Sequence, residues 1–184
     1  WSLAKTSSIA SELYEKGHIT YIRTDSTRTN KDSRDEIKAY ILKEFGNEFI
    51  GQGVVGPDVK KQSVNIQDAH EAIRPTRPSI REINEKNEDL KKLYRLIWSR
   101  FAGSQMSDSI RENRSIRART EDFQKDISGN VSWRIHAGWE EVFQEFLRNV
   151  PVNPPASELK VGATWKIELD SNNPELVSEE TKPP

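Results

Sequence analysis

The apolar residues of this chain change their spacing once, and the change constrains what it can fold into more than any other feature. Up to about Ser104 they recur every three or four residues, which is the repeat of a helix face. After Met106 they alternate with polar residues, which is the repeat of a strand with one face covered. A chain of this kind is α+β, with its helices and strands segregated along the sequence. We therefore expect a helical domain over residues 1–103 and a β-rich segment over 104–184. With 184 residues and a hydrophobic content of 34%, the core is expected to be thin.

Within the first part, Leu3, Ile9, Ala10, Leu13 and Tyr14 fall on one face of a helix that Gly17 ends. Ser33 to Glu36 reads as a capping box for a second helix carrying Ile37, Tyr40, Ile41 and Phe45, with Gly46 as terminator. Asp68 is placed to cap a short helix through Ile73, stopped by Pro75. Leu90, Leu93, Tyr94, Ile97 and Phe101 mark a third long helix from Asn87 to about Ser104. GQGVVGPDVKKQSVN has no period and reads as a loop or irregular strand. In the second part, SIRARTEDF, VSWRIHAGW and WKIELD read as strands, with Ser128-Gly129-Asn130 as the turn between the first two. The proline-bearing NVPVNPPASELKVG reads as a connecting loop. Trp98, Trp133, Trp139 and Trp165 are read as packing residues.

Composition removes several chemistries. The chain has no cysteine, which excludes disulfides, thiol nucleophiles and thiolate metal sites, and its three histidines are too scattered for a histidine zinc site. Lys and Arg number 28 against 29 Asp and Glu, so any grip on a polyanion must come from local arrangement. No run approaches the roughly 20 apolar residues of a membrane span. No glycine-rich phosphate loop or carboxylate pair is present, so no metal site is expected in this chain.

What remains is the stretch ITYIRTDST, residues 19–27, where a phenol, a guanidinium, a carboxylate and several hydroxyls crowd one short segment. In an extended chain Tyr21 and Arg23 project to the same side. A phenol, with a reference pKa of about 10, is almost wholly protonated at neutral pH and needs help as a nucleophile. A forked guanidinium two residues on can hold phosphate oxygens and stabilise a five-coordinate phosphorus. The competing reading is that Tyr21 packs at the core edge and Arg23 pairs with Asp25. His70, in DAHEAIRP, could donate to a phosphate oxygen or could be an ordinary surface histidine. Arg74, Arg77 and Arg81 suit backbone phosphates, and equally suit the acidic residues around them.

Taken together, ITYIRTDST after a helix of the SSIASELYEKG type, then QDAHEAIRPT and LYRLIWSRFAGSQM, resembles the central part of type IA DNA topoisomerases, the bacterial topoisomerase I and reverse gyrase group. The likeness covers residues 1–106 most strongly, and GWEEVF and TKPP resemble the following arch segment more loosely. It implies a nucleophile-bearing helical domain followed by part of a β-rich hinge. It implies that Tyr21 attacks a single-strand phosphodiester to form a 5′-phosphotyrosine without ATP, that Arg23 stabilises the transition state, and that His70 contacts the scissile phosphate. Asp25 would orient Arg23 or a bridging partner, and Arg74 would be a DNA contact.

The resemblance further implies Mg2+ bound in a Toprim domain outside this segment, with single-stranded DNA and the remaining domains of a longer parent as partners. From the Trp1 start and the Lys182-Pro183-Pro184 end, the chain is expected to be an excised fragment, inactive alone, of a soluble, cytoplasmic, nucleoid-associated enzyme. The alternative from another class is a noncatalytic module that holds single strands through the arginines and exposed aromatics.

Overall fold

The computed structural model of the protein describes residues 1–54, 71–119, 126–147 and 162. The chain divides into two compact units, Trp1–Pro154 and Pro155–Pro184. The described elements all belong to the first, so the change of period near Gly103 lies inside that unit rather than at its edge. Among the described residues, three α-helices and one antiparallel strand pair make it α+β, as the two periods require. WKIELD, the proline-bearing loop, Trp165, TKPP and most of GQGVVGPDVKKQSVN lie outside the described residues.

Helix α1 (Leu3–Glu15) starts at Ser2, whose hydroxyl accepts from the Lys5 N–H at 3.2 Å. It buries a narrower stripe than its spacing suggests. Ile9 and Leu13 enter the core, whereas Leu3 is 84% exposed and Tyr14 is also largely open. The helix packs on α3 along one line, so residues at the flanks of the apolar face stay in solvent. Its end is a Schellman closure: Gly17, at φ 74°, donates to Tyr14 O at 2.8 Å, and His18 donates to Leu13 O at 2.9 Å.

Helix α2 (Lys31–Glu44) begins three residues earlier than the capping-box reading places it. Asn30 is the cap, accepting from Ser33 N–H at 2.7 Å, and Ser33 lies inside the first turn. Asn is at least as good a cap as Ser, and the two patterns overlap here, so spacing alone does not choose between them. Ile37 and Ile41 are fully buried, and Gly46 ends the helix at φ 103°.

Helix α3 (Glu88–Gly103) is the spine of the unit, burying Leu90, Leu93, Tyr94, Trp98, Phe101 and Ala102. Two of these also carry polar atoms that must be satisfied. The Tyr94 hydroxyl donates to Ile80 O at 2.6 Å and the Trp98 indole to Pro78 O at 2.7 Å, which ties the irregular segment at 78–80 to the helix. The expected helix ending at Ile73 is not formed in its described part. Glu71 to Arg74 is extended or bent, and Asp68 to His70 lie outside the described residues.

Strands β1 (Ile110–Arg119) and β2 (Asp126–His136) pair antiparallel, from Ile110 opposite His136 to Arg119 opposite Asp126. Ser128-Gly129-Asn130 is therefore not the turn. These residues are in the ladder opposite Arg117, Ile116 and Ser115. A Cβ added at Gly129 would meet nothing within 4 Å, so neither space nor a positive φ demands glycine there. Trp133 is buried, with the Arg114 guanidinium 4.8 Å from its ring centroid. A 3-10 helix, Gly138–Phe143, returns the chain to α3, setting Phe143 and Trp139 against Gly103. Buried Glu140 takes Arg111 at 2.6 Å and Arg134 at 3.3 Å. Burial alone would raise its pKa, but hydrogen bonds from Ser109, Arg111 and Arg134 prevail and hold it below the usual carboxylate range.

Candidate functional site

The chain leaves α1 through the Gly17 closure and meets residues 72–76 at once. Thr76 N–H donates to His18 O at 3.0 Å, Ile19 bridges Pro75, and Thr20 N–H donates to Arg74 O at 2.9 Å. The Thr20 side chain completes the join. Its hydroxyl donates to Ala72 O at 2.8 Å and accepts from Arg74 N–H at 2.9 Å. The far end of the segment is fastened to the same run, since Ala72 N–H donates to Arg28 O at 2.8 Å and Asn30 Nδ2 to Glu71 Oε1 at 2.9 Å. Residues 21–27 thus form a loop whose two ends are tied to one short stretch, 71–76.

Along that loop exposure alternates with period two: Tyr21, Arg23, Asp25 and Thr27 are exposed, and Ile22, Thr24 and Ser26 are partly covered. Tyr21 keeps 40% of its surface open and meets Tyr14 edge to face, ring centroids 5.2 Å apart and planes at 64°. Arg23 and Asp25 form no ion pair with each other, which removes one half of the bland reading of this stretch. The loop has no ladder of its own. Serine and threonine hydroxyls shape it, with Thr24 accepting from Ser26 N–H at 3.0 Å and Ser26 from Arg28 N–H at 3.3 Å.

Arg74 is turned inward. Its side chain is 8% exposed, pairs with Glu71 at 2.6 Å, and donates from Nη1 to Pro75 O at 2.8 Å. Its place in the sequence marks a tie between the loop's anchors rather than a surface cation. The other two arginines of the cluster differ again: Arg77 is exposed, whereas Arg81 lies 5.5 Å from the Trp98 ring centroid. His70 lies outside the described residues, immediately before Glu71.

Sequence reasoning missed Thr20, Glu71 and Glu85. Glu85 accepts from Lys16 at 2.7 Å and from His18 at 2.9 Å, fastening the segment before the loop to the approach to α3. Those bonds, Lys16 first and His18 second, hold the Glu85 carboxyl below its ordinary value, and Glu85 in turn raises Lys16. Partners 41 to 69 residues apart leave no periodic trace. Among the described residues no three acidic or histidine side chains converge as a metal site requires, so no residue here is assigned to the expected magnesium. None of the described helices is long and apolar enough to cross a membrane.

The family model described as DNA topoisomerase matches residues 1–184. DNA topoisomerase 1 of Thermotoga maritima is 41% identical over 155 residues, 78% of this chain and 24% of that protein. DNA topoisomerase 1 of Fervidobacterium islandicum is 35% identical over 99% of this chain and 26% of its own length. The structure of full-length topoisomerase I from Thermotoga maritima superposes with a TM-score of 0.63 at 33% identity, covering 87% of this chain and 26% of that one. The chain thus spans about a quarter of the length of these relatives.

Proposed function

This chain belongs to the DNA topoisomerase family, and from that premise we propose that it supplies the nucleophile of a type IA reaction, with Tyr21 as the attacking group. The Tyr21 Oη–P bond forms as the P–O3′ bond of a single strand breaks. The phenolic proton leaves the tyrosine and the 3′ oxygen departs as a hydroxyl. The 5′ phosphate stays on the protein, and reversal by the same 3′ hydroxyl needs no nucleotide cofactor. Arg23 steadies the charge that gathers on phosphorus, and His70 contacts the scissile phosphate. Asp25, exposed on the same side of the loop but not paired with Arg23, orients a bridging partner. Arg74 acts from within, by holding the loop's anchors. The observation that carries this reading is the exposed Tyr21 and Arg23 on one side of a loop fastened at both ends.

A magnesium ion held in a domain outside these residues would supply charge neutralisation, and the junction after α3 is proposed as the start of the parent's hinge. Single-stranded DNA is the proposed substrate. Because the chain covers only 24% of its Thermotoga relative, the 184 residues alone are expected not to relax supercoiled plasmid.

The test uses the full-length protein containing this chain and an oligonucleotide labelled at its 3′ end. Under denaturing conditions the label should follow the protein, and Tyr21→Phe should abolish the adduct while retaining binding. An adduct that survives in Tyr21→Phe would sink the assignment. Plasmid relaxation unchanged by Tyr21→Phe would favour the noncatalytic binding module instead.

A further inference from the structure

A second phenol has no part in the reaction just described. Tyr14 lies in the last turn of α1, is 42% exposed, and meets Tyr21 edge to face at 5.2 Å. Resting on the reading of Tyr21 as nucleophile, the geometry points to Tyr14 as a positioning residue that helps orient the Tyr21 ring.

The backbone holding Tyr14 is fixed from three sides. Leu13 beside it is wholly buried, Tyr14 O accepts from Gly17 N–H at 2.8 Å, and His18 N–H caps Leu13 O at 2.9 Å. The left-handed turn at Gly17 reverses the chain there and brings residue 21 back to the last turn of the helix. On its side, Tyr21 follows Thr20, which is hydrogen bonded through backbone and side chain to Ala72 and Arg74. Both rings therefore hang from rigid backbone. The orientation of each ring then depends on what its side chain touches.

An edge-to-face contact sets the positive rim of one ring against the negative face of the other, and so favours a limited range of ring orientations. In-line attack on phosphorus needs the phenolic oxygen within a narrow cone and distance, so narrowing the range raises the fraction of encounters that react. This is work for the ring and not for its hydroxyl. A tyrosine this exposed adds little to the core, so its removal is expected to affect rate far more than folding.

The experiment compares Tyr14→Phe, Tyr14→Leu and Tyr14→Ala in the full-length protein. It measures single-turnover cleavage of a single-stranded oligonucleotide, the Kd for that oligonucleotide, and Tm. Leu and Ala should slow cleavage about tenfold with Kd and Tm unchanged, and Phe should cleave within about twofold of the parent. Parental cleavage by the Leu and Ala variants would overturn the proposal. So would a Phe variant as slow as Ala, or slower cleavage matched by a weaker Kd or a lower Tm. Tyr21→Phe run alongside separates the two levels: an adduct there overturns the nucleophile and this proposal with it, whereas normal cleavage by Tyr14→Ala overturns the positioning alone.

Discussion

Arg74 Nη2 lies 2.6 Å from Glu71 Oε2, and Arg74 Nε donates to the same oxygen at 2.8 Å. The other Glu71 oxygen accepts from Asn30, the cap of α2. One carboxylate thus links Asn30, beyond the far end of the loop that carries Tyr21, to Arg74, whose backbone holds the near end at Thr20.

Removing that carboxylate leaves a buried guanidinium with only the Pro75 carbonyl. Glu71→Ala should cost about 2 kcal/mol, less than a fully buried pair would because Glu71 is partly open to water. Glu71→Gln, which keeps an acceptor, should cost less. Urea unfolding of the two variants against the parent checks both the size and the order, and equal stability of all three would show that the bridge is incidental.

Trp98 is the residue whose loss the core should feel most. It is wholly buried, and its indole N–H is bonded to Pro78 O at 2.7 Å. Trp98→Ala should lower stability by about 3 to 5 kcal/mol. Trp98→Phe should recover part of this but leave the Pro78 carbonyl unpaired. Calorimetry reads both.

How much of this was legible beforehand depends on how far apart the interacting residues stand. α3 was readable because its apolar residues repeat every turn over four turns, and α2 because Ile37 and Ile41 do the same. Tyr14 shares a helix face with Leu3, Ile9, Ala10 and Leu13 by spacing, yet α1 touches its neighbour along a single line and leaves that flank in water. The glycine at 129 resembled a turn, but turn chemistry is only a local preference, and the pairing register from 110 to 136 overrode it. The crowding in ITYIRTDST was visible as composition. Its fastening by Thr20, Glu71 and Asn30 was not, since nothing in a linear pattern records a contact across 41 or 52 residues.

Stability should depend on pH at both extremes, through different groups. Burial pushes the Tyr94 phenol up from 10.0 to about 12, so its contribution is complete below pH 10 and is lost as pH rises through about 12. Tyr94→Phe should flatten the fall in stability across that window. Glu140 and Glu85 are both held below their unfolded value of 4.5, so their contributions are present above about pH 4.5 and vanish as the medium is acidified further. Glu140→Gln should remove part of the acid slope. Denaturant midpoints taken in steps of pH test each sign separately, and an alkaline slope unchanged in Tyr94→Phe would contradict the first.

Arg23 and Arg74 should fail in opposite ways. Arg23→Ala in the full-length protein should slow cleavage by about a hundredfold with little change in Tm, and Arg23→Lys should recover charge but not the two-pronged geometry. Arg74→Ala should lower Tm. A single-turnover rate and a melting curve for each variant suffice; an Arg23→Ala protein that cleaves normally would remove Arg23 from the chemistry.

The double fastening of residues 20–30 has a mechanical side. A tug on a strand joined at position 21 reaches the body of the protein at two places, Thr20 on one side and Arg28 with Asn30 on the other. Load is shared between two sets of bonds that meet on the same six residues, so neither end can peel away alone. A tether built in this manner can give in the middle while its footing stays put, which would suit a side chain that held a broken strand under tension.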